Sequence, residues 1–246
     1  MASTVTKTAS TKAILKPLIT LKGHGDEVES ICYFPDGQRM ISGSDDKTAL
    51  QWDLKTGKEI EEARGVCEGF VHAVAVSRNG RWVATAGADG ELRACEVETG
   101  IVKTFKGHSQ MIECIDISAD SMQLASGSVD KTARIWNLDT GKLVAGPFKS
   151  EDYVGAVRFS PDSKKLAVIS FLGSCLEVWD VQSQKLDGKL KVTGGGAIGT
   201  WHSPVFWTNT NNMGQVKLTR HCHKSRPSLT LAMHSKHVPP SLMINI

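Results

Sequence analysis

Apolar and polar residues take turns along short stretches of this chain, and the stretches recur. Val28, Ile31 and Tyr33 are followed by Val71, Val74 and Val76, then by Ile112, Ile115 and Ile117, then by Val154, Val157 and Phe159. This is strand periodicity, not helix. Turn signals PDG, RNG, ADS and PDS follow these runs, with turn positions Gly37, Gly80, Ser121 and Ser163 stepping by 43, 41 and 42. Next come a second strand, a glycine-centred turn, a third strand ending in Trp52, Cys95, Trp136 or Trp179, and a TG turn into a fourth. Each unit is predicted to be a four-stranded antiparallel meander. One meander cannot cover both faces of its own sheet, so the units are expected to stack side by side as the blades of an all-β propeller.

The repeat is also visible residue by residue. ISGSDDKTALQWDLKTGK (41–58) and ASGSVDKTARIWNLDTGK (125–142) superpose without a gap at an offset of 84, twice a period of 42. Upstream, His24 stands 13 residues before Gly37 and His108 stands 13 before Ser121. Weaker copies occupy 74–100 and 157–185.

The GH pairs at 23–24 and 107–108, WD at 52–53 and 179–180 and WN at 136–137 resemble WD40 repeats, and the resemblance runs from residue 14 to about 190. In wording it is similar to the WD40 repeat-like proteins of basidiomycete fungi. It implies a partial propeller: a flexible arm (1–13), an outer latch strand (14–22) and four blades at 23–64, 65–106, 107–148 and 149–192. A fragmentary fifth blade (193–212) and a basic, poorly folded tail (213–246) would follow. The resemblance further implies a buried hydrogen-bond chain in each complete blade, formed by His24, Ser42, Asp46 and Trp52 and again by His108, Ser126, Asp130 and Trp136. These residues are expected to be structural, because linking a His to an Asp satisfies groups that are costly to bury alone. The second and fourth blades depart from the pattern. Their His slots hold Cys67 and Ser150, the second Trp slot holds Cys95 and the fourth Asp slot holds Gly173, so both blades are expected to be less rigid.

Other readings of the same residues are weaker. His24, Asp46 and Ser42 or Ser44 have the ingredients of a nucleophilic triad, but the trio recurs at blade spacing, which an active site would not do. No catalytic residue is assigned and the chain is not expected to be an enzyme. Gly194, Gly196 and Gly199 satisfy GxGxxG, yet no acidic residue follows to hold a ribose. His221, Cys222, His223, His234 and His237 are metal-ligand types without a standard zinc spacing. No cofactor and no metal are expected.

Composition adds a charge asymmetry. The net charge of +3 hides a body, 1–187, with 22 Lys and Arg against 26 Asp and Glu, and a remainder with seven basic residues and no acidic one. A mildly acidic body is not expected to bind nucleic acid. Six cysteines without CxxC spacing, no long apolar run and no signal-peptide pattern predict an intracellular protein, cytoplasmic or nuclear, with no membrane role. SPVFWTNTNN (203–212) could begin a fifth blade, but no turn and second Trp follow at the period, so a reading-frame or splice change near 212 is the simplest account of the tail; a basic arm for anionic partners is the alternative.

The resemblance implies a non-catalytic scaffold for protein–protein interaction. Its partner-binding rim would be the position three residues after the His slot: Glu27, Phe70, Met111 and Tyr153. Three are large apolar or aromatic groups of the kind that anchor interfaces, or else they cap the core from above. Asp26, Glu68, Glu151 and Asp152 make the rim acidic, so a basic or amphipathic protein segment is the expected partner. The alternative function is a truncated or frame-shifted propeller fragment with little activity of its own. Open blade edges would then favour self-association.

Overall fold

The structure, a computed structural model, describes residues 19–60, 65–66, 69–170, 175–191, 205–208, 215–218 and 244–245. The described elements are all strands. The first sheet holds β2 (Val28–Tyr33), β3 (Arg39–Ser44), β4 (Thr48–Asp53), β5 (Lys58–Glu59) and β6 (Gly65–Val66). The second holds β7 (Val71–Val76), β8 (Trp82–Gly87), β9 (Leu92–Glu96) and β10 (Val102–Phe105). In the third are β11 (Ile112–Ile117), β12 (Gln123–Ser128), β13 (Thr132–Asn137) and β14 (Leu143–Lys149), and in the fourth β15 (Val154–Phe159), β16 (Lys165–Ser170), β17 (Cys175–Asp180) and β18 (Leu186–Lys191). Strand order follows chain order in all four sheets, except that β6 lies off the path and pairs with β4, and every pairing within them is antiparallel. The architecture is that of a partial WD40 propeller.

The turns explain why the meanders close where they do. Gly37, Gly80, Ser121 and Ser163 all adopt left-handed backbone, with φ between 60° and 71°. Serine is strained there relative to glycine. At the two serines the hydroxyl gives something back, because it reaches the preceding sheet: Asn79 N–H donates to Ser121 Oγ at 3.3 Å, and Ala119 N–H donates to Ser163 Oγ at 3.0 Å.

The first strands β2, β7, β11 and β15 pack beside one another in that order, so the core lies between sheets. Ile41, Val71, Val74 and Val83 fill the first interface; Trp82, Leu92, Ile112, Leu124 and Trp136 fill the second; Ile135, Phe148, Val154 and Leu166 fill the third. Removing one of the buried indoles costs about 3–5 kcal/mol by the usual large-to-small measure.

Three expected boundaries shift. Gly65–Val66, placed at the start of the second blade, instead pairs with Thr48–Ala49 and continues the outer edge of the first sheet. Lys149 pairs with Thr132, which carries the third sheet one residue past 148. Beyond the fourth sheet, β19 (Val205–Thr208) pairs antiparallel with β20 (Gln215–Leu218), so strand-forming sequence continues past the limit drawn at 212. The expected latch strand also differs. β1 (Ile19–Thr20) pairs in parallel with β21 (Ile244–Asn245) at the far end of the chain, whereas an outer blade strand would pair antiparallel. Its packing is nonetheless blade-like: Leu21 is buried with Trp52 as Phe105 is buried with Trp136.

Candidate protein-binding rim

The two complete repeats carry the same side-chain chain. His24 Nδ1–H donates to Asp46 Oδ2 at 2.8 Å, its Nε2 accepts from Ser42 Oγ–H at 2.6 Å, and Trp52 Nε1–H donates to Ser42 Oγ at 2.7 Å. In the third sheet the corresponding distances for His108, Asp130, Ser126 and Trp136 are 2.8, 2.8 and 2.9 Å. These donor and acceptor roles are assigned from the network: an acidic acceptor at Nδ1 fixes the tautomer and leaves Nε2 to accept. Ser42 and Ser126 are fully buried with both hydroxyl roles taken, so neither offers an exposed nucleophile.

Asp46 fills four acceptor positions, adding Gly25 N–H at 2.9 Å, Thr48 N–H at 2.9 Å and the Thr48 hydroxyl at 2.6 Å. Burial works against its charge, but the hydrogen bonds from Thr48, Gly25 and His24 outweigh it and hold the carboxyl well below the usual range. Asp130 is lowered in the same way, with burial opposed by Thr132 and His108. Burial also lowers His108, and the Asp130 contact only partly restores it. Thr48 and Thr132 were not among the residues singled out from sequence. The shared DKT triplet, whose Lys47 and Lys131 take up left-handed backbone, was the available signal.

The other two sheets lack the chain. In the fourth, register places Val168 where Ser126 stands in the third, and both Trp179 Nε1 and Ser150 Oγ are buried without a hydrogen-bond partner among the described residues. In the second, Thr85 and Cys95 occupy the Ser and Trp positions, and Trp82 on the adjacent strand fills the following interface instead. Cys67, Glu68 and Gly173 lie outside the described residues, as do the GxGxxG glycines and the five tail residues with metal-ligand character.

Above this braced interior, Glu27, Phe70, Met111 and Tyr153 each sit one residue before a first strand, so the side-by-side packing of those strands brings them to one end. The backbones of Glu27, Phe70 and Met111 are pinned alike. Asp45 N–H donates to Glu27 C=O at 3.0 Å, Ala88 to Phe70 at 3.2 Å and Val129 to Met111 at 2.9 Å. Phe70 is 43% and Tyr153 41% exposed, Met111 is half-buried and Glu27 is exposed. The Tyr153 ring lies 5.8 Å from the Lys131 ammonium, and Phe70 meets His72 edge-on at 6.5 Å. Large aromatic rings held in water by a fixed backbone lose little further freedom on binding.

Comparison with known proteins follows the same lines. The sequence model of the family described as WD domain, G-beta repeat matches residues 15–53, 62–94 and 100–137, which leaves the fourth sheet outside it. The chain is 28% identical over 199 residues to the nuclear distribution protein PAC1 of Coccidioides posadasii, covering 69% of this chain and 42% of that protein. It is 26% identical over 186 residues to a guanine nucleotide-binding protein subunit beta-like protein of Encephalitozoon cuniculi, with 70% and 55% covered. With the guanine nucleotide-binding protein subunit beta of Zea mays it shares 33% identity over 128 residues, 48% and 34% of the two chains. The structure of U3-55K superposes with a TM-score of 0.61 at 19% identity over 68% of this chain and 52% of that one. The chain spans about half the length, or less, of the curated relatives it matches. The family model and these relatives support the WD40 repeat family.

Proposed function

We propose, for a chain whose repeats match the WD40 family, that it is a non-catalytic scaffold that holds protein partners on the rim formed by Glu27, Phe70, Met111 and Tyr153. The observation that carries this reading is the exposure of Phe70 and Tyr153 at equivalent positions two blades apart, with Met111 between them. An isolated exposed ring needs no explanation; two at the same repeat position, with Met111 between them, suit a recognition surface. Asp26 and Glu27 are exposed beside this row, which suits a basic or amphipathic segment of the partner.

Site-specific photo-crosslinking tests the reading. A benzophenone amino acid at position 153 is expected to link the protein to partners in cell extract, while the same group at position 56, in the turn at the opposite end of the first sheet, does not. Equal linking from both positions contradicts a rim site.

A further inference from the structure

The four first strands share an irregularity. Pairing with the second strand slips at Val28/Ser30, Val71/Ala73, Ile112/Cys114 and Val154/Ala156, so Glu29, His72, Glu113 and Gly155 are each the extra residue of a β-bulge. A bulge lifts one side chain out of the sheet's alternation and re-aims it. Because the first strands pack side by side, three such side chains gather two residues inside the rim, with glycine at the fourth place. Glu29, His72 and Glu113 lie within electrostatic reach of one another.

Glu113 is the unusual member. It is only 4% exposed, and no hydrogen-bonding group among the described residues reaches its carboxylate. Burial raises its pKa; His72 draws it back and Glu29 raises it further. Glu29 is raised by burial and by Asp45, lowered by His72, and raised again by Glu27. The side chain is nearly enclosed, so its charge is poorly hydrated, a cost that a neutral side chain of the same shape would not carry. A cation that enters from the rim supplies the missing donors. Among the described residues no His, Cys, Asp and Glu cluster is compact enough for a metal ion, whereas carboxylates on separate strands suit a long side chain with several N–H groups.

We propose that Glu29 and Glu113, flanking His72 at the bulges of β2, β7 and β11, form a recess that receives one arginine or lysine side chain of a protein bound at the rim. The inference rests on the rim reading and names the chemical group that reading takes.

Fluorescence anisotropy of labelled octa-arginine with the full chain tests it. Glu113→Gln is expected to weaken binding on the order of tenfold. It is also expected to raise the thermal midpoint by about 1–4 °C, because the uncompensated charge is gone. Glu29→Gln, at a less buried position, keeps the test valid if Glu113→Gln fails to fold, and it should weaken binding similarly. Glu98→Gln, the same loss of charge in an exposed turn, should change binding less than about twofold. If Glu113→Gln and Glu29→Gln behave like Glu98→Gln while Phe70→Ala with Tyr153→Ala weakens binding, the recess is refuted and the rim stands. If the rim variant also binds normally, both fall.

Discussion

Val168 and Trp179 hold in the fourth sheet the places that Ser126 and Trp136 hold in the third, and the indole N–H that Ser126 receives at 2.9 Å finds no partner among the described residues at Trp179. Ser150 Oγ, in the position of His108, is also buried with no partner among the described residues. An unsatisfied buried donor costs about 1–3 kcal/mol. Val168→Thr keeps the shape and offers the indole an acceptor, so it is expected to leave stability unchanged or raise it by about 1 kcal/mol in urea unfolding. Val157→Thr, a buried valine at the interface of the third and fourth sheets, should lose stability.

Where the chain of hydrogen bonds is complete, its centre is the serine. Ser42→Ala leaves both Trp52 Nε1–H and His24 Nε2 without their partner, and Ser126→Ala does the same to Trp136 and His108. Each is expected to cost about 2–4 kcal/mol, more than an ordinary lost hydrogen bond, because two buried groups are orphaned at once. Equilibrium denaturation of the two variants measures this.

Acid should unfold the protein in two stages. His108 has a lowered pKa in the fold, so the unfolded chain takes up its proton first and stability begins to fall below about pH 6.5. Asp46 and Asp130 are lowered too; their contribution is present above the unfolded value of about 3.8 and is lost as the pH drops through their folded values. Asp130→Asn is expected to shrink the second stage, which thermal melts across a pH series would show. Glu113 has the opposite sign: its raised pKa makes it least costly in acid and most costly near neutrality.

Much of this was legible in the sequence and some was not, for physical reasons. The His, Ser, Asp and Trp positions were readable because a buried polar chain repeats at fixed spacing, and the turn residues were readable because left-handed backbone restricts the choice. The bulges left a trace that alternation hid: each first-strand triplet, such as Val28, Ile31 and Tyr33, steps by three and then by two, which is the extra residue itself. Gly65–Val66 could not be assigned by period alone, because its place is set by backbone pairing with Thr48–Ala49. The parallel pairing of Ile19–Thr20 with Ile244–Asn245 joins the two ends of the chain and has no local signal.

In the proposed function the exposed rings of Phe70 and Tyr153 hold the partners at the rim. The direct measurement is quantitative affinity enrichment from cell extract by the wild-type chain and by Phe70→Ala with Tyr153→Ala, after matching their unfolding midpoints. The double variant is expected to fold normally and to lose the enriched proteins. An unchanged set at unchanged yield would contradict the proposed function.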